Sequence, residues 1–148
     1  MKQLFTIGVS KKTAEQFFTM LSENHVRCVL DTRLYNSYQL AGFSKYPDIK
    51  YFLKTIANIE YVSDSMFAPS ENLLNAYRNK QINWDEYTER FTQIIEMRGF
   101  IDYIEEKYDN LDGYCLLCSE QKPDKCHRRL LAEAICEKFS EYELKHLI

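Results

Sequence analysis

The densest chemistry in this 148-residue chain lies between residues 116 and 133, LLCSEQKPDKCHRRLLAE. An apolar run ends there at Cys118, Ser119 and Glu120, and Cys126, His127 and Arg128 then open an amphipathic segment. A helix N-terminus already carries partial positive charge on its unpaired N–H groups, so Lys122, Lys125, His127, Arg128 and Arg129 stand where cations are disfavoured. Such a cluster suits a phosphate or carboxylate held by the helix N–H groups, His127 and Arg128. The competing use of Arg128 is an ion pair with Glu120 or Asp124 that ties the loop down. Glu120, on the loop, is the candidate acid, base or nucleophile. Cys118 at a strand end, and Cys126 in the first turn of a helix capped by Asp124, are candidate thiolates, with close packing as their alternative use.

Cys115 and Cys118, followed by Cys126 and His127, offer zinc-ligand residue types. Their spacing does not fit a site, because residues three apart on a strand point to opposite faces and adjacent Cys126 and His127 rarely serve one metal. Cys115 is therefore expected in the core, and no metal or cofactor is required. The Cys-x5-Arg spacing of a thiol phosphatase is absent.

Strand and helix patterns alternate along the chain, with strands expected at 4–9, 26–33, 59–64, 113–119 and 142–148. Phe17, Phe18 and Leu21 make one face of a helix after the first strand, and PDIKYFLKTIAN makes another after the second. Residues 70–108 read as helical throughout: Asn83 and Glu86 form a capping pair, Trp84, Tyr87, Phe91, Ile94 and Ile95 line one side, and Gly99 is a break. In the last helix Leu131, Ala134, Ile135 and Phe139 face inward. The expected fold is a single α/β domain, with a mainly parallel five-stranded sheet, flanking helices and a helical insertion between the third and fourth strands.

In such sheets ligands bind outside the carboxyl ends of the strands. Polar residues gather at those ends: Ser10 after the first strand, Asp31, Arg33 and Asn36 after the second, Cys118 to Glu120 after the fourth. Ser10, Asp31, Arg33, Asn36 and Arg128 are thus the candidate substrate-binding residues, and Glu120, Cys118, Cys126 and His127 the candidate catalytic ones. Tyr35, Tyr38, Phe43, Tyr46, Tyr51 and Phe52 surround Gly42; several are expected in the core, while those near Arg33 could stack on a base.

Composition bounds the partners. With 45% hydrophobic and 28% charged residues the chain reads as soluble and globular, and its formal charge of −3 excludes broad charge-driven nucleic-acid binding while allowing a local basic patch. The opening MKQLFTIGVS has neither a signal-peptide pattern nor the length of a membrane span, and five cysteines lack disulfide-framework spacing. A cytoplasmic protein without membrane association is expected.

The segments VLDTRLYNSYQLAGFSK and CLLCSEQKPDKCHRRLLAE, with TIGVSKKTAEQFFTML and FAPSENLLNAYRNKQINWDEYTERF, resemble the domain of unknown function 488 family over nearly the whole chain. The family pattern falls on Asp31, Arg33, Gly42, Phe43, Cys118, Glu120, Cys126, His127 and Arg128. Thr32 departs from the family's usual valine, a change expected to touch strand packing more than the site. The resemblance implies fold and site location but no reaction. The residues themselves favour a hydrolytic or group-transfer enzyme acting on a phosphate-bearing anion such as a nucleotide or nucleic-acid end. The alternatives are a non-catalytic nucleic-acid or protein-binding module using the same basic loop, and a redox or metal sensor in which Cys118 and Cys126 come within bonding distance.

Overall fold

The computed structural model of the chain describes residues 1–37 and 42–148, so Tyr38 of the aromatic group lies outside the described residues. Five strands, β1 (Lys2–Gly8), β2 (Cys28–Asp31), β3 (Glu60–Ser63), β4 (Tyr114–Cys118) and β5 (Tyr142–Leu147), form one sheet in the order β3-β2-β4-β1-β5. Every pairing is parallel. Central strands of such a sheet are buried on both faces and so read as continuous apolar runs rather than alternating ones. Leu4, Leu30 and Leu116 accordingly face one core, and Phe5, Ile7, Val29, Cys115 and Leu117 the other.

Helices α1 (Ala14–Glu23) and α2 (Asp48–Ala57) cover the second of these faces with Phe17, Phe18, Leu21, Ile49 and Leu53. The insertion between β3 and β4 comprises α3 (Glu71–Arg78), α4 (Trp84–Met97) and α5 (Phe100–Lys107), and it joins α6 (His127–Lys138) on the first face. Asn83 caps α4 by accepting the Glu86 N–H at 2.9 Å, and Gly99, at φ 64°, takes the left-handed conformation that separates α4 from α5. Tyr87, Phe91 and Ile95 of α4 belong to the same core as Leu131, Ala132 and Ile135 of α6. Ala132 is fully buried, and Ala134 and Phe139 pack half-buried against the same core.

The Asp64 carboxylate beyond β3 anchors the insertion, accepting the hydroxyls of Tyr103 at 2.7 Å and Tyr108 at 2.6 Å. Burial raises its pKa, but the Tyr108 and Tyr103 hydrogen bonds, with the Met66 N–H and the nearby Lys107 ammonium, hold it below the ordinary value.

Two of the boundaries that differ from the sequence expectation bear on the cleft. β2 stops at Asp31 because its carboxylate turns back to accept both the backbone N–H and the guanidinium of Arg33, which ends extended pairing. The last helix begins after Cys126 rather than Asp124: the Cys126 N–H donates to the Pro123 carbonyl at 3.2 Å, so residues 123–126 form a turn of their own.

This connectivity fixes where a ligand would enter. From β2 the chain leaves through α2 on one face of the sheet, whereas from neighbouring β4 it leaves through α6 on the other. The loops after adjacent strands therefore diverge, and a crevice opens between them at the carboxyl ends.

Candidate functional site

A cleft of about 950 Å³ occupies that crevice, bounded by the loops after β2 and β4, the start of α6, and the α3–α4 turn. Of the nine expected site residues, five line it: Arg33, Cys118, Glu120, Cys126 and His127. Asp31, Ser10, Asn36 and Arg128 do not line it, and each has another task.

Asp31 is wholly buried and holds Arg33. Its Oδ1 accepts Arg33 Nε at 2.8 Å, its Oδ2 accepts Arg33 Nη2 at 2.7 Å, and Oδ2 also accepts the Tyr61 hydroxyl at 2.6 Å. Such a fork-on-fork pair fixes the guanidinium plane. Arg33 Nη2 donates further to the Ser44 carbonyl at 2.8 Å, while Nη1 is buried and has no hydrogen-bond partner among the described residues. An orphaned donor on a buried cation is costly, and this one belongs to a residue that lines the cleft. Asn36 holds the same loop from the other side: its backbone carbonyl accepts the Tyr46 N–H, and its amide donates to the Tyr61 and Ser63 hydroxyls.

Arg128 sits behind the loop after β4. It is fully buried and donates through Nη1 to the Glu120 carbonyl at 2.6 Å and the Cys118 Sγ at 2.9 Å, and through Nη2 to the Gln121 carbonyl at 3.1 Å. The sequence reading had this side chain on a bound anion or on a carboxylate; its hydrogen bonds go to main-chain carbonyls and sulfur instead. Glu120 is exposed, and among the described residues only its carbonyl is engaged in a hydrogen bond. Ser10 serves the same loop, its hydroxyl donating to the Ser119 carbonyl.

Gly8 permits this arrangement. β1 and β4 are in register with Gly8 opposite Cys118, so the loop after β4 turns over the end of β1. A Cβ at Gly8 would lie 1.5 Å from the Glu120 carbonyl oxygen and 3.1 Å from Arg128 Nη1. Only glycine allows the two backbones this close.

His127, the first residue of α6, turns back onto the end of β2. Its Nε2 lies 2.8 Å from the Thr32 carbonyl and 3.0 Å from the Thr32 hydroxyl, which itself donates to the Leu117 carbonyl. This network assigns the proton to Nε2 and leaves Nδ1 as the acceptor nitrogen. Burial, together with the Arg128 charge, pulls the imidazole down to about 4 despite the Thr32 carbonyl, so it is neutral at physiological pH. Thr32 thus bonds a cleft residue directly, where the sequence places its effect more on strand packing than on the site.

Cys118 and Cys126 meet across the base of the cleft, their sulfurs joined as a disulfide between the end of β4 and the N-cap of α6. Cys115 lies in the opposite core, fully buried, as its strand parity requires. Among the described residues no group of three His, Cys, Asp or Glu side chains is placed to hold a metal ion.

The far wall was not legible as part of the site. Tyr77 and Arg78 from α3, Lys80 from the turn and Trp84 from α4 line the cleft, with Tyr35 from the loop after β2. The Trp84 and Tyr87 rings stack at 5.0 Å, and Tyr77 packs edge-on against Trp84 at 5.7 Å. The stretch AYRNKQINW carries the signal in retrospect, as a basic interruption between two amphipathic helices whose aromatic residues flank it.

The sequence profile of a domain of unknown function, DUF488, matches residues 13–135. The chain belongs to the DUF488 family. The matched span runs from the N-cap of α1 into the buried part of α6 and includes all the cleft residues named above, while Gly8 and Ser10 lie before it. No curated protein and no solved structure gives a significant match. No helix among the described residues is long and apolar enough to cross a membrane. The DUF488 description names no reaction, so function rests on the geometry of the cleft.

Proposed function

We propose that the cleft is the active site of a hydrolytic or group-transfer enzyme acting on a phosphate-bearing anion, a nucleotide or a nucleic-acid end. The observation that carries this reading is the unpartnered, buried Nη1 of Arg33 in a cleft that also receives the N-terminus of α6, whose N-cap, Cys126, makes no side-chain capping bond. A phosphate there would accept from the first-turn N–H groups and from Arg33, with Lys125 adding charge at the rim. Arg78 and Lys80 extend the cationic surface along the far wall, and Trp84 and Tyr35 offer flat rings of the kind on which a base stacks.

Glu120 is the group we assign to proton transfer or nucleophilic attack, since the residue is exposed at the cleft while Arg128 and Gly8 fix its backbone. Neutral His127 offers Nδ1 as a hydrogen-bond acceptor or base toward the same space. The compartment we assign is the cytoplasm, because the five cysteines lack the spacing of a disulfide framework.

The test is turnover of a panel of nucleotides, phosphomonoesters and short oligonucleotides, with wild type and Glu120→Gln compared. Turnover of one class, with kcat lost at least about 100-fold in Glu120→Gln, supports the proposal. Retention of a ligand unaltered by both proteins assigns the cleft to a binding module instead.

A further inference from the structure

Arg128 presents an imbalance that its loop-clamping role leaves in place. The guanidinium is fully buried, and among the described residues no carboxylate oxygen lies within ion-pair distance of it. Its Nε lacks a hydrogen-bond partner altogether. Burial draws its pKa down to about 10, which still leaves it charged at neutral pH. A buried cation without a counter-ion is strongly disfavoured. Among the described residues the only side-chain atom that accepts from it is Cys118 Sγ, at 2.9 Å.

We propose that Cys118 and Cys126 form a redox-active pair, in which Cys118 of the reduced protein is the thiolate counter-ion of Arg128 and is oxidised by hydroperoxides, with Cys126 as the resolving thiol. The charges around Cys118 favour this ionisation. Arg128 comes from α6, and the Lys12 ammonium, beyond β1, is close enough to Arg128 for burial and that charge to lower its own pKa. His127 is neutral, Cys115 is held protonated by burial, and the Glu120 carboxylate is exposed. Cys118 and Cys126 both line the cleft, with exposures of 1% and 4%, so the cleft is the route by which a small oxidant would reach them.

The chemistry balances with the peroxide as the sole oxidant. The Cys118 thiolate attacks one peroxide oxygen, an S–O bond forms, and the O–O bond breaks with its electron pair leaving on the second oxygen, which takes a proton from solvent. Sulfur has lost two electrons and stands as a sulfenic acid, and the peroxide has become an alcohol or water. The Cys126 thiol then attacks Cys118 Sγ, the S–S bond forms, the S–O bond breaks, and hydroxide departs with the Cys126 proton as water. The closed bridge removes the negative partner of Arg128 and joins β4 to the start of α6, the two elements that shape the cleft. Opening the bridge with a dithiol restores the thiolate. The inference shares the cleft with the function proposed above, yet its test involves no anionic substrate, so either can fail alone.

The test uses the full chain, reduced and freed of reductant, then given one equivalent of hydrogen peroxide. The expected result in wild type is loss of two hydrogens in intact mass, a peptide linking residues 118 and 126, and reversal by dithiothreitol. In Cys126→Ser, dimedone is expected to label Cys118 after peroxide, with no label on half-buried Cys136. The iodoacetamide alkylation rate of Cys118 in Cys126→Ser should change less than about threefold between pH 8.5 and 6.5, whereas an ordinary thiol slows by roughly 50-fold. Added Arg128→Met should restore the steep dependence, with circular dichroism reporting whether this variant folds. Overturning results are a Cys118 rate that tracks an ordinary thiol in the Arg128-containing protein, or peroxide oxidation directed to Cys136 with the 118–126 linkage absent. These two outcomes do not depend on the folding of the Arg128 variant.

Discussion

Gly8→Ala is the sharpest probe of how the cleft is held. The added methyl would stand 1.5 Å from the Glu120 carbonyl oxygen and 2.5 Å from its carbon, both backbone atoms that no rotamer change can remove. Restoring ordinary contact near 3.4 Å demands that the loop retreat by about 2 Å, the difference between these distances. The Arg128 Nη1 bond to that carbonyl, 2.6 Å long, is lost in the process. A buried charged donor stripped of a partner costs about 1–3 kcal/mol, and forcing a methyl into a packed interface costs about 1–3 kcal/mol more. The expected destabilisation is therefore roughly 2–6 kcal/mol, or about 6–18 °C in melting temperature for a chain of this length. Urea unfolding followed by far-UV circular dichroism measures it directly. Gly42→Ala is the control, since no described residue lies within 4 Å of a Cβ there, and should stay within about 0.5 kcal/mol of wild type. A Gly8→Ala protein as stable as Gly42→Ala would refute the claim that glycine is needed for the loop to cross β1.

Three further outcomes follow from the same contacts. Asp31→Ala leaves the Arg33 guanidinium buried without its partner and should destabilise by about 3–5 kcal/mol in urea unfolding, well beyond the effect of removing the exposed Lys54–Glu60 pair. The His127 pKa lies below its ordinary value of 6.5, at about 4, so the unfolded chain takes up this proton first as pH falls; stability contributed by neutral His127 is complete above pH 6.5 and is lost towards pH 4, by at most about 3 kcal/mol. Melting curves from pH 7 to 4.5 should accordingly be flatter in His127→Gln than in wild type. Thr32→Val keeps the carbonyl that His127 meets but deletes the hydroxyl bonded to Leu117, and should cost about 1 kcal/mol of stability while shifting the His127 ring resonances in NMR spectra.

Much of the fold was legible because burial on both faces leaves a plain mark: VRCVLD and YCLLC are unbroken apolar runs, and helices with one apolar stripe separate the strands. The site was legible to the extent that it follows from strand ends, which brought Arg33, Cys118, Glu120 and His127 to one crevice. What the sequence concealed depends on distance rather than residue type. Arg128 and His127 are adjacent, yet one turns under the loop and the other onto β2, a difference set by tertiary packing at the start of α6. Gly8 looks like any strand-terminating glycine until the register with Cys118 puts a carbonyl against it. The α3–α4 wall comes from residues some forty positions before the signature stretch, and no local pattern ties the two together.

The proposed anion site is tested most directly by crystals soaked in tungstate, a phosphate mimic located by its anomalous scattering. One strong peak is expected at the N-terminus of α6, within hydrogen-bonding distance of Arg33 Nη1. Tungstate bound elsewhere, with that position empty, would contradict it.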